Sequence, residues 1–109
     1  MIVYIAGPIT GVMDYEKKFN EYERLLTEQG FTVLNPAWLP QGLGDCDDYM
    51  RICLPMIALA DTVAMLDGWQ DSRGACREWG YAKALDKYII DIENLLGPQS
   101  TLSNVKGGV

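Results

Sequence analysis

The chain is 109 residues long, enough for one domain but not two. It is 49% hydrophobic and 22% charged, the composition of a soluble globular domain, with no apolar run of membrane-span length and no legible signal peptide. A net charge of −6 argues against a duplex nucleic-acid partner, and the absence of histidine removes His-based acid–base catalysis, Ser–His and Cys–His nucleophile pairs and most zinc sites.

Residues Ile2–Ala6 are a β-type run and predict the first strand. The run breaks at Gly7-Pro8-Ile9-Thr10-Gly11, a glycine-framed loop in which backbone N–H groups approach a ligand closely. The loop lacks both the phosphate-loop Lys-Ser/Thr pair and the three-glycine dinucleotide fingerprint, and taken alone it reads first as a plain strand-to-helix turn. Tyr15 to Gln29 predicts an amphipathic helix with Phe19, Tyr22, Leu25 and Leu26 inward, Asp14 as N-cap and Gly30 as C-cap. Phe31–Leu34 is a short second strand, ended by Asn35-Pro36, and a long loop rich in Pro and Gly follows. Asp47 or Asp48 opens a second helix running to about Leu59, in which Pro55 predicts a kink or a new segment. The acidic group Asp45, Asp47 and Asp48 reads as a metal site or, with no partner ligands in view, as a loop with a helix cap.

Thr62-Val63-Ala64-Met65-Leu66 predicts a buried third strand. Beyond Asp67 and Gly68 the pattern changes to a helix from Ser72 to Asp86, with Ser72 as its N-cap. On that helix Ala75, Glu78, Ala82 and Leu85 recur at spacings of three and four and share one face. A carboxylate in an otherwise apolar stripe, near a helix start, stands where an open α/β sheet puts its ligand. Glu78 is therefore a candidate catalytic group, or else a solvated residue at the stripe's edge. Tyr88-Ile89-Ile90 predicts a fourth strand, with a short helical turn at Glu93–Leu96 and a polar tail over 97–109.

Strands alternating with helices predict an α/β domain over residues 1–96, a small doubly wound, Rossmann- or flavodoxin-like parallel sheet of four to five strands with helices on both faces. Strands one and three would then lie side by side. Cys46, Cys53 and Cys76, odd in number and without a Cys-x-x-Cys, indicate free thiols in a reducing compartment and hence a cytoplasmic protein. Cys53 and Cys76 read as small buried hydrophobes. Trp38, Trp69 and Trp79 add apolar surface to a small domain, and a homodimer or larger oligomer is expected. Neither a metal nor an organic cofactor is indicated.

The runs from Val3 to Gly11, Leu34-Asn35-Pro36-Ala37, Tyr49 to Leu54 and Gly68-Trp69 to Ala82 closely resemble the family called domain of unknown function 4406. That family is common in phages and prophages, and the resemblance extends from Met1 to about Ile90. More distantly, the same residues resemble nucleoside 2-deoxyribosyltransferases and 2′-deoxynucleoside 5′-phosphate N-hydrolases. The second resemblance implies cleavage or exchange of the N-glycosidic bond of a deoxynucleoside or its 5′-monophosphate. It gives Glu78 the role of nucleophile at C1′ and makes Tyr4 the residue that approaches it. Gly7, Ile9 and Thr10, within the loop from Pro8 to Gly11, would line the base and sugar pocket. Ser72 would meet a 5′-phosphate at the helix N-terminus beside Gly74, with Arg73 adding charge.

The bland alternatives are a packed strand aromatic at Tyr4, a plain N-cap at Ser72 and solvated charges at Arg73 and Arg77. In both enzyme families an Asp stands eight residues before the Asp that opens the third strand and assists the leaving base. Counting back from Asp61 gives Cys53, a poor general acid. Asp67 and Asp71 are candidate substitutes. Three function classes follow: a glycosidic enzyme acting through Glu78, a nucleotide-binding or sequestering protein on the same scaffold, or a structural or protein-binding role with the Trp residues at an interface.

Overall fold

A computed structural model describes residues 1–97. The predicted tail beyond residue 97 lies outside the described residues. Four strands, β1 (Ile2–Ala6), β2 (Thr32–Leu34), β3 (Thr62–Met65) and β4 (Tyr88–Asp91), form one sheet in the order β2-β1-β3-β4, and every pairing is parallel. The helices are α1 (Tyr15–Glu28), α2 (Cys46–Leu59), α3 (Arg73–Ala84) and α4 (Ile92–Leu96), with single 3-10 turns at Pro36–Trp38 and Trp69–Asp71.

Both faces of the sheet are covered, so alternate residues of β1 enter two separate cores. Val3 and Ile5 pack with Phe19 and Leu26 of α1 and with Ile92 and Leu96 of α4. Tyr4 and Ala6 pack with Met50, Cys53 and Ile57 of α2 and Ala82 of α3. This is the doubly wound, flavodoxin-like arrangement, and side chains that large contribute about 1.5–3 kcal/mol each when fully buried. Strand order reverses between β1 and β3, whose register pairs Tyr4 with Val63 and Ala6 with Met65. Past that reversal, the loops leaving the C-terminal ends of the two strands part and open a crevice.

Local chemistry sets the helix ends, and it departs from expectation at two of them. Asp14 is not a side-chain cap of α1: its backbone is left-handed at φ 60° and its carboxylate caps nothing. α2 opens at Asp45 rather than at Asp47 or Asp48. The Asp45 side chain accepts from the Asp48 amide while the Asp48 side chain accepts from the Asp45 amide, a reciprocal capping box that satisfies two end donors. α2 then runs as one helix through Pro55, without a new segment. Gly30, at φ 95°, follows the α1 C-cap residue Gln29, and the Gly30 and Phe31 amides close onto the last-turn carbonyls. Leu85 stands just past the end of α3 and is exposed, so the inward stripe there is Ala75, Glu78 and Ala82.

Candidate functional site

Glu78 is a carboxylate in a core position. Ser72 caps α3 by accepting from the Ala75 amide at 3.2 Å, and Ala75, Glu78 and Ala82 form the buried stripe of that helix. Only 5% of Glu78 is exposed. Tyr4, fully buried on β1, donates its hydroxyl to Glu78 Oε2 at 2.6 Å. Cys53, on the inner face of α2, stands against the same pair. Three elements distant in the chain thus place a phenol, a thiol and a carboxylate in contact.

Desolvation raises the Glu78 carboxyl to about 7, while the Tyr4 hydroxyl and the Cys53 thiol act in the opposite sense by hydrogen bonding to its charged form. Desolvation likewise raises the Cys53 thiol to about 11 and the Tyr4 phenol well above its ordinary value, with the nearby Glu78 charge adding to both shifts. Near neutrality the cluster therefore holds a carboxylate that gains and loses its proton, between two groups that keep theirs.

Glu78 and Cys53 form part of the wall of a half-open cavity of about 800 Å³, the size of a small-molecule site. The cavity lies at the mouth of the β1–β3 crevice. The β1–α1 loop contributes Ile9, Thr10 and Gly11; the start of α3 contributes Ser72 and Gly74. Of the residues singled out in the sequence, these five, Glu78, Cys53, Asp14 and Asp45 reach the cavity wall. Tyr4 lies beneath it and acts through Glu78.

The others stand elsewhere. Gly7 is a packing position: a Cβ there would meet the Cβ of Leu66 at 2.7 Å, so glycine allows β1 and β3 to stay in contact at their ends. Pro8 is beside Gly68, 3.7 Å from where a Cβ on that glycine would lie. Asp67 is exposed on the opposite side of the sheet, where its charge helps raise the Tyr22 hydroxyl. Asp71 belongs to the turn before α3, and Arg73 is exposed; neither lines the cavity. Arg77 pairs with Asp47 at 2.6 Å across the α2–α3 contact.

Much of the wall carried no signal in the sequence. Tyr15 and Glu16 from the start of α1, and Leu39 and Tyr49 from the long loop and α2, all line the cavity. The loop is held there by Tyr49, whose hydroxyl donates to the Pro40 carbonyl at 2.7 Å. Its beginning is fixed by Asn35, fully buried, which donates to Asn20 and Glu23 and accepts from the Ala37 amide. The acidic group of the loop is occupied structurally: Asp45 and Asp48 cap α2, and Asp47 pairs with Arg77. Among the described residues no His, Cys, Asp and Glu side chains are grouped to hold a metal ion. The three cysteines are free, and Cys76 is exposed, not buried, because it lies on the outer side of α3 with its thiol toward the Gln70 carbonyl. No described helix is long and apolar enough to cross a membrane.

A family model described as domain of unknown function (DUF4406) matches residues 1–91, a span that contains the sheet, α1 to α3 and the whole cavity wall. No curated protein matches the chain.

Proposed function

The chain belongs to the DUF4406 family, and from that premise we propose that it cleaves or exchanges the N-glycosidic bond of a deoxynucleoside or its 5′-monophosphate, with Glu78 as nucleophile. The observation that carries this reading is the buried Glu78 carboxylate, bonded to Tyr4 and open on one side to a cavity of small-molecule size. The likeness of the Tyr4 strand and of the Glu-x-Gly-x-Ala run Glu78–Ala82 to deoxyribosyltransferases and N-hydrolases supports it.

In this mechanism Tyr4 holds Oε2, which leaves Oε1 to attack C1′ as the base departs. The sugar passes through an oxocarbenium-like transition state to a glycosyl-enzyme, as in retaining glycosidases. Water or a second base then attacks C1′ from the opposite side and returns Glu78 to the carboxylate. Ser72 and Gly74, at the α3 N-terminus and on the cavity wall, suit the 5′ end of the sugar.

The test is chromatographic. Each deoxynucleoside and each 5′-monophosphate is incubated with wild type and with Glu78→Gln, and free base is measured. The reading requires base from at least one substrate with wild type and none with the variant.

Cys53 favours a second reading, a nucleotide-binding protein without turnover, because a thiol raised to about 11 is a weak acid for a departing base. It requires a nucleotide that raises the melting temperature while no base is released; a ligand at a hundred times its Kd adds about 2.7 kcal/mol.

A further inference from the structure

Side-chain charge around the cavity is one-sided. Asp14, Glu16, Asp45 and Glu78 contribute to its wall, which contains no Lys or Arg side chain among the described residues. The two arginines near the start of α3 do not offset this, since Arg77 is held by Asp47 and Arg73 is exposed and off the wall. The positive end of α2 is already matched by its own Asp45, Asp47 and Asp48. Asp14 caps nothing, and neither it nor Glu16 enters an ion pair among the described residues. Between them stands Tyr15, which also lines the cavity and packs edge-on against Phe19. A cavity wall of carboxylates without a matching cation attracts a cationic ligand.

The leaving group raises the same question. A neutral base that departs from C1′ carries the bond's electron pair away as an anion and needs a proton from a positioned acid. Glu78 must be ionised to attack. The groups in contact with it are a phenol and a thiol that both hold their protons tightly. No histidine exists in the chain.

A single substrate property answers both observations. We infer that the base is already cationic before cleavage, a nucleoside of the N-alkylated purine or pyridinium class, drawn in by the acidic wall and able to depart as a neutral molecule without a proton donor. This rests on the glycosidic reading above. Glu78 Oε1 forms a bond to C1′ as the C1′–N bond breaks, and the electron pair of that bond neutralises the ring cation. Water then cleaves the glycosyl ester, giving the free sugar, the Glu78 carboxylate and one proton to solvent. No oxidant, reductant or further reactant is needed.

The experiment compares a matched pair, 7-methyl-2′-deoxyguanosine and 2′-deoxyguanosine, which differ in base charge. Base release by wild type is corrected for that seen with Glu78→Gln, which removes the spontaneous loss of the methylated base. The expected kcat/KM favours the methylated nucleoside by about a hundredfold, the scale of a general acid that is not required. The double variant Asp14→Asn with Glu16→Gln, which disturbs no cap, is expected to reduce that preference about tenfold through a higher KM for the cation. Equal or better cleavage of 2′-deoxyguanosine, or a preference that the double variant leaves intact, overturns the cationic substrate while the glycosidic reading stands. Absence of base from every nucleoside, methylated or not, overturns both.

Discussion

Tyr4 and Glu78 stand 74 positions apart in the chain, yet the Tyr4 hydroxyl lies 2.6 Å from Glu78 Oε2 in a setting closed to solvent on the strand side. The phenol is fixed by a central strand and the carboxylate by a capped helix, so the bond joins two rigid supports. A bond of this kind stabilises the charged form of Glu78 against the desolvation that otherwise favours the neutral acid.

Tyr4→Phe removes that donor and keeps the ring. The Glu78 carboxyl is then expected to move above about 7, because the Tyr4 hydrogen bond lowers it in the wild type. A pH–rate profile of base release is the measurement: the rising limb, which reports the ionised nucleophile, shifts toward alkaline pH. A lost buried bond to a charged group also costs about 1.5–3 kcal/mol of stability above the wild-type midpoint. An unmoved limb would remove Tyr4 from its positioning role.

Stability and pH are linked through the same carboxyl. Its folded value of about 7 lies above the ordinary carboxyl value of 4.5, so between these limits the native state binds more protons than the unfolded chain. Stability contributed by this group is full below the lower value and is lost as pH rises through about 7, by a total of about 3 kcal/mol. Glu78→Gln keeps a neutral side chain of the same shape at every pH. Denaturant titrations at pH 5 and pH 8 are expected to show the variant gaining on wild type at pH 8. Equal differences at both pH values would contradict the raised value.

Gly7 tests how tightly the crevice floor is built. In Gly7→Ala the new Cβ meets the Cβ of Leu66 at 2.7 Å, and that atom remains in every substitution of Leu66 except glycine. The backbone of β1 or β3 must therefore shift, a change that costs about 1–3 kcal/mol. Thermal unfolding should show a melting temperature lower by several degrees, and adding Leu66→Ala should not restore it. A melting temperature equal to wild type would mean that the strand ends are looser than the packing shows.

The helix that carries Glu78 was legible because its start, its period and its odd charge are all local: Ser72 caps it and Ala75, Glu78 and Ala82 repeat at helical spacing. Which way Tyr4 points was not. Every residue from Val3 to Ala6 is buried, so β1 has no polar alternation to mark its two faces. Asp14 misled because a cap is read from residue type, while its left-handed backbone is set by the path of the loop around it. The far wall was hidden for a different reason. Tyr49 and Asn35 fold the loop between β2 and α2 through bonds to partners up to 15 residues away, and no repeat in the sequence announces such contacts. DUF4406 membership agrees with the resemblance read from the chain.

The join between Gly7 and Leu66 also divides the molecule by timescale. The Leu66 amide donates to the Ala6 carbonyl at 2.8 Å, so β1 and β3 remain zipped to their last residues directly beneath the cavity. Amides there exchange with solvent only when the sheet itself opens. The rim has no ladder of this kind: Thr10 to Asp14 and Pro40 to Asp45 are exposed, and they border the cavity from two sides. Entry and exit of a ligand are thus assigned to the rim, on the timescale of loops, above a floor that keeps the time of global unfolding.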